Sequence, residues 1–244
     1  MSNTPSVMEA PAPSTVEVPP LLQRLRAFSL PGGAAAVRGG RGVALALRGE
    51  IRASPDARWM RFTAAQTIEA TRSGFRWNAR IHAGPFHAVA LSVTDAFEDG
   101  RGWMVVRAGG VLPVARGGGP DFDRGERQRY LAEIVACPPA LFLNRSLEWT
   151  ALGPSTLRVK DGAGGDDVFV DIEIADDGRP LSCRADRPRV IGTRAVITSW
   201  SGTYGEPKEW AGLRIPSRLE AAWHVDGGAF TYVREEVISL AVLR

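Results

Sequence analysis

The chain is poor in lysine: of its 30 basic residues only Lys160 and Lys208 are not arginine. With a net charge of +3, this leaves no concentrated basic footprint of the kind a nucleic-acid surface needs, and nucleic acid is not expected as a partner. Cysteine is equally scarce. Cys137 and Cys183 cannot make a disulfide framework, and three histidines, His82, His87 and His224, show no zinc-type spacing, so no metal or other cofactor is expected. Neither a long apolar run nor a basic-then-apolar leader is present, which argues against a transmembrane segment and an export signal. Together these absences favour a reducing, cytoplasmic setting, in which the Asn144-Arg145-Ser146 sequon has no use.

Residues 1–16 are rich in Pro, Ala, Ser and Thr and are expected to be a disordered tail, because such a composition cannot bury enough surface to offset ordering entropy. Residues 17–244 are expected to form one domain, long enough for a well-buried core. Leu21, Leu22, Leu25 and Phe28 recur at helical spacing and stop at Pro31-Gly32, predicting a short N-terminal helix. The glycine-rich stretch after it lacks the spacing of a phosphate-binding loop and reads as a connector.

From Val43 the period becomes two. Val43, Leu45 and Leu47 alternate, as do Phe75, Trp77, Ala79 and Ile81 on one face of "GFRWNARIHA", with Arg76, Asn78, Arg80 and His82 on the other. Short turns such as Ser54-Pro55-Asp56, Gly84-Pro85 and Glu98-Asp99-Gly100 separate five or six successive strands, which predicts an antiparallel meander. One principal helix interrupts it, predicted over 124–137 from an acidic capping box, Asp123 with Glu126, and a stop at Cys137-Pro138-Pro139. Tyr130, Leu131, Ile134 and Val135 form its buried stripe and Glu133 falls on the border. Strands then resume at about 147–151, 156–160, 167–175, 180–187, 194–202, 212–224 and 229–242. The expected fold is mainly β: a strongly curved antiparallel sheet, or unclosed barrel, with one principal helix across it and a short N-terminal helix.

The order of Gly49-Glu50-Ile51-Arg52, "RWMRFTAAQ", "FRWNARI", Val93-x-Asp95, "RYLAEIVACPPAL", the Trp200 and Tyr204 pair and "GLRIPSRLEAAW" resembles a bacterial domain family of unknown function. The helix-on-curved-sheet pattern also resembles, as fold-level analogy, the unclosed barrel of periplasmic lipoprotein carriers. The chain departs from those carriers in showing no export signal.

Six residues stand out as candidate ligand-binding positions. Trp77 shares its face with Phe75 and Ile81, so it is either core or cavity wall; Asp95 either points inward at a strand end or begins the turn after it. Glu133, at the edge of a buried stripe, needs a cation, and Arg129 four residues earlier is the nearest. It is either an anchor pinning helix to sheet or a site residue. Trp200 and Tyr204 belong to an aromatic cluster, with Trp210 and Trp223, that suits either core packing or a cavity mouth. Ser199, Ser201 and Ser217 have no recognisable base beside them and no nucleophile elbow, so no catalytic residue is assigned. The carboxylate pairs Asp166-Asp167, Asp176-Asp177 and Glu235-Glu236 read as solvated. The pattern favours a non-enzymatic module that holds an apolar or lipid-like small molecule between sheet and helix. An enzyme with an unrecognised carboxylate and arginine site, and a structural or partner-binding domain, are the alternatives; the pattern specifies neither ligand nor oligomeric state.

Overall fold

The computed structural model describes residues 18–244 apart from 38, 84–87, 163–167 and 193. The tail assigned to residues 1–16, the Gly84-Pro85 turn, His87 and the Asp166-Asp167 pair lie outside the described residues.

A first meander runs through β1 (Gly42–Ile51), β2 (Met60–Glu69), β3 (Phe75–Ala83), β4 (Ala88–Glu98), β5 (Arg101–Ala108) and β6 (Leu112–Gly118). A second runs through β7 (Leu147–Ala151), β8 (Thr156–Asp161), β9 (Phe169–Ile174), β10 (Pro180–Ile191), β11 (Arg194–Tyr204), β14 (Arg218–Val225) and β15 (Gly228–Leu243). The two are joined where β1 pairs β15, giving one 13-stranded antiparallel sheet in the order β6-β5-β4-β3-β2-β1-β15-β14-β11-β10-β9-β8-β7. The strand expected over 212–224 is divided: β13 (Leu213–Pro216) leaves the main sheet to pair with β12 (Pro207–Trp210), and β14 starts afresh at Arg218. Pro216 has no N–H for a central ladder, which suits a break there.

Because β6 and β7 are the two edges, the chain between them must cross the whole sheet. It does so as α2 (Pro120–Glu133), a 3-10 turn over Ile134–Ala136 and the short α3 (Ala140–Leu143). α2 touches β4, β5 and β6 on one side and β8, β9 and β10 on the other, strands that lie far apart in the sheet order, so the sheet curls around the helix into an unclosed barrel. Register shifts at Ala46/Leu47, Ile81/His82, Val106/Arg107 and Ala221/Ala222 supply bends for that curvature. The inward rows of β1 to β3, among them Leu45, Phe62, Ile68 and Phe75, close on Tyr130, Leu131, Ile134 and Val135.

α2 begins earlier than the sequence predicts. Its first residue is Pro120, after Gly119 with φ 96°, and no side chain caps it. Proline's fixed φ and missing N–H suit the first helical position, so the start lies before Asp123. Asp123 is instead inside the first turn, where Oδ1 accepts from the Gly102 backbone N–H at 2.7 Å. The 3-10 turn and Cys137 end the helical run at Pro138-Pro139, as expected.

α1 (Pro20–Ser29) buries Leu21, Leu22, Leu25 and Phe28 and is tied to the crossover by Arg26, whose Nε donates to Leu141 O at 2.8 Å. It also leans on the turn between β9 and β10 at Gly178, where φ is +89° and a Cβ would sit 2.3 Å from Arg24 O. Gly178→Ala is therefore expected to lower stability by about 1–3 kcal/mol, from overpacking and a strained backbone, measured as the midpoint of a urea melt. The following residues, Ala34–Val37, form a 3-10 turn with Val37 buried, so the glycine-rich connector is partly docked.

Candidate functional site

Glu126, Arg129 and Glu133 recur at i, i+3 and i+7 on α2 and so share one helix face. That face looks across a cavity of about 440 Å³ toward the concave side of the sheet. Most of the wall is apolar: Ile81, Leu91, Val93, Met104 and Val106 from one arm, Trp200, Ala221, Trp223 and Val233 from the other. All six positions singled out in the sequence, Trp77, Asp95, Arg129, Glu133, Trp200 and Tyr204, line it. Trp210, on β12, does not.

Arg129 is the hub. Its Nε donates to Glu133 Oε1 and its Nη1 to Asp95 Oδ2, both at 2.7 Å, with the three side chains 14–17% exposed. The guanidinium also lies over the rings of Phe75, at 4.7 Å, and Trp77, at 5.4 Å. Gln66 Nε2 donates to the second Glu133 oxygen. Burial works against the charge on Arg129, but Glu133, Asp95 and Glu126 overcome it and raise its pKa well above the usual value. Asp95 is not part of a turn. It sits within β4, paired with Trp77 and Met104, and alternation turns its carboxylate inward. Burial raises its pKa, with Arg129 opposing.

A second arginine completes the cluster. Arg187 of β10 is buried, donates from Nη2 to Gly125 O at 2.6 Å, and approaches Glu126 Oε1 at 3.8 Å. It lies 4.7 Å above the Trp200 ring. Burial, reinforced by Asp95, pushes the Glu126 carboxyl up to about 8, and burial with Glu133 nearby pushes Glu235 up to about 7. Glu235 thus faces inward, contrary to the solvated reading of the Glu235-Glu236 pair. Glu236, its neighbour, faces out and bonds Arg48 at 2.7 Å. Two arginines amid Asp95, Glu126, Glu133 and Glu235 leave more acidic groups than cations, which works with burial to favour the neutral forms of Glu126 and Glu235. The indole N–H of Trp77 is buried without a well-formed hydrogen bond, facing Glu235 closely enough to lower that carboxyl's pKa against burial.

The aromatic members are partly occupied. Tyr204 OH donates to Ala132 O at 2.6 Å, where α2 passes into its 3-10 turn, and Trp200 Nε1 donates to Tyr232 OH at 3.2 Å. Trp223 stacks on Tyr232 with centroids 5.9 Å apart. Sequence reasoning missed Glu126, Arg187, Tyr232 and Glu235. The period of the helix would have joined Glu126 to Arg129 and Glu133, and strand alternation would have sent one of two adjacent glutamates inside; Arg187 and Tyr232 carry no local signal.

Ser201 does have a base beside it: His224 Nε2 lies 2.8 Å from its Oγ. The pair is exposed on the outward face, and among the described residues no carboxylate hydrogen-bonds the ring, so it lacks both an orienting acid and an enclosing site. Among the described residues no group of three His, Cys, Asp or Glu is arranged to hold a metal ion, and no helix is long and apolar enough to cross a membrane.

A family model described as "Family of unknown function (DUF6544)" matches residues 9–235. The chain belongs to this DUF6544 family. No curated protein matches the chain by sequence. Among solved structures, the DUF6544 chain is similar to a LolA superfamily protein from Nitrosomonas europaea, with TM-score 0.51, 10% identity and 92% of each chain covered. It is also similar to a putative outer membrane lipoprotein-sorting protein domain from Vibrio parahaemolyticus, at TM-score 0.51 and 8% identity, covering 91% of this chain and 90% of that one. A DUF1329 family protein from Desulfovibrio piger matches equally, at 0.51, 8%, 91% and 90%. At such identities the likeness is one of fold: this DUF6544 member has a LolA-like half-barrel.

Proposed function

We propose that the protein is a binding module that holds an apolar or amphiphilic small molecule in the cavity between α2 and the concave face of the sheet. The observation that carries this reading is the cavity itself. Its volume of about 440 Å³ falls within the range of small-molecule sites, and a mostly apolar wall ends in a small set of fixed polar groups. The LolA-like fold supports the same direction. Cytoplasmic residence is kept as part of the proposal, since Cys137 and Cys183 are free and buried.

An enzyme reading draws on the raised carboxyls, but burial and the crowding of acids around two arginines in a mostly apolar cavity raise them without any catalytic requirement. The test is native mass spectrometry of freshly purified protein, followed by uptake of an apolar environment-sensitive dye after bound molecules are stripped. Bound mass or saturable dye uptake is expected, and Ala221→Phe, which fills the cavity, should lower it severalfold while leaving the circular dichroism spectrum unchanged. Protein that carries nothing and takes up no dye would sink the reading.

A further inference from the structure

The hairpin of β10 and β11 outruns its neighbours. Among the described residues β9 pairs only with Pro180–Arg184 of β10, and β14 only with Trp200–Tyr204 of β11, so there the ribbon from Ala185 to Ser199 has no strand on either side. Two strands alone are marginal in water. This pair is held at its base by Arg187 on Gly125 O and by Gln128 Nε2 on Asp186 O, which fix it to α2. Its far end nevertheless exposes Val190, Ile191, Val196 and Ile197, the last at 57%. The β5–β6 hairpin on the opposite side of α2 exposes Val111, at 81%, and Leu112.

Both tips belong to the same open end of the barrel. Register runs from Glu235 and Gly49 through Phe62, Ile81 and Leu91 to Ala108, two residues short of the Ile51–Val233 row where β1 ends, so the Gly109-Gly110 turn of the β5–β6 tip reaches that row. β10 passes that row, since Cys183 pairs with Gly202 and Gly202 with Ala221, opposite Val233. The cavity reaches both tips: Val106 lines it just below one, and Val190, itself 55% exposed, lines it at the other. Charge is distributed unevenly around this end. From Gly100 to Pro120 and from Arg187 to Gly205 there is no Asp or Glu, while Arg107, Arg189 and Arg194 stand close to the two tips. The turns elsewhere on the rim carry Asp56 and Asp226.

We infer that the two tips form a docking rim for an anionic bilayer surface, against which the mouth of the cavity opens. Apolar side chains at hairpin ends enter the acyl boundary, arginines beside them meet the negative headgroups, and the acid-bearing remainder of the rim is turned away, which fixes one orientation. The vesicle test does not require the occupant of the cavity to be known.

That test is co-sedimentation of the full chain with vesicles of phosphatidylcholine alone and with about one-third phosphatidylglycerol. Binding to the mixed vesicles is expected, weaker on phosphatidylcholine and weakened again when salt is raised well above about 0.15 M. Ile191→Ser with Ile197→Ser should reduce the bound fraction about tenfold. Arg189→Gln with Arg194→Gln should reduce it on the anionic vesicles specifically. All four sites lie on the projecting ribbon, and unchanged circular dichroism and melting midpoints show the fold to be intact; Leu112→Ser on the other tip repeats the test should the ribbon variants misfold. No binding to either vesicle overturns the proposal, as does wild-type binding by the variants. So does a solution dimer that the same substitutions dissolve, since it would seat a second copy on the ribbon instead.

Discussion

Replacing Arg129 by alanine should be among the most damaging single changes in the molecule, lowering stability by about 3–5 kcal/mol. The substitution leaves Asp95 and Glu133, both mostly buried, facing each other with no cation between them. It also removes the guanidinium from the faces of Phe75 and Trp77. Glu133→Ala should cost less, about 1–3 kcal/mol, because Arg129 keeps Asp95 while Gln66 loses its acceptor. Glu133→Gln should fall between the wild type and the alanine variant. Denaturant midpoints, each measured with the bound-molecule load, separate an anchor from a site residue: a Glu133→Ala protein of unchanged midpoint that had lost its load would place Glu133 in ligand binding alone. The network favours the anchor, since both Glu133 oxygens already accept from the protein.

Stability should rise as pH falls from about 8 toward about 5, opposite to the behaviour of a protein held by ionised surface pairs. Glu126 and Glu235 have folded-state pKa values of about 8 and about 7, raised from 4.5. Below 4.5 both states hold these protons. Between 4.5 and the folded values the folded state keeps a proton that the unfolded state has released, so each unit of rising pH there removes up to about 1.4 kcal/mol per group. The loss is complete once pH exceeds the folded value. Glu126→Gln mimics the neutral carboxyl and should flatten the profile between about pH 5 and 8, with the variant more stable than wild type at pH 8. Urea melts at pH 5, 6.5 and 8 check this; a wild type whose midpoint rises with pH, and a Glu126→Gln variant that follows it, would show the carboxyl to be ionised in the cavity.

How far the sequence carries differs by element. Alternation in β1 and β3 is clean because one face meets the barrel interior and the other water, so Phe75, Trp77 and Ile81 could be assigned to one wall without coordinates. Helix α2 is legible in its second half, where Tyr130, Leu131, Ile134 and Val135 are apolar, and obscure in its first, where buried Glu126, Arg127 and Gln128 resemble a solvated face. A polar residue looks the same in sequence whether water or Arg187 satisfies it. Pairing across the sheet is invisible for a related reason: that Arg187 reaches Gly125 and Glu126 follows only from β10 lying beside α2. In sequence Asp95 fits both turn and interior because the distance to Gly100 leaves both registers open, and only the pairing of β4 with β3 and β5 decides.

The pairing that joins the two meanders has a consequence for synthesis. β1 finds its second neighbour only in β15, with Gly42 opposite Leu243. As the chain leaves the ribosome, β1 to β6 can assemble early, yet one border of that sheet keeps its backbone groups open until β15 emerges. Such a border invites pairing with other nascent chains, and a contact between distant residues slows the closing step. The exposed outer charges along this seam, Arg48 with Glu236 and Arg234 with Glu50, then act before the fold exists as well as within it. A half-built sheet edged with Arg48 and Glu50 is a poor template for a stranger's strand and a good one for the strand still to come.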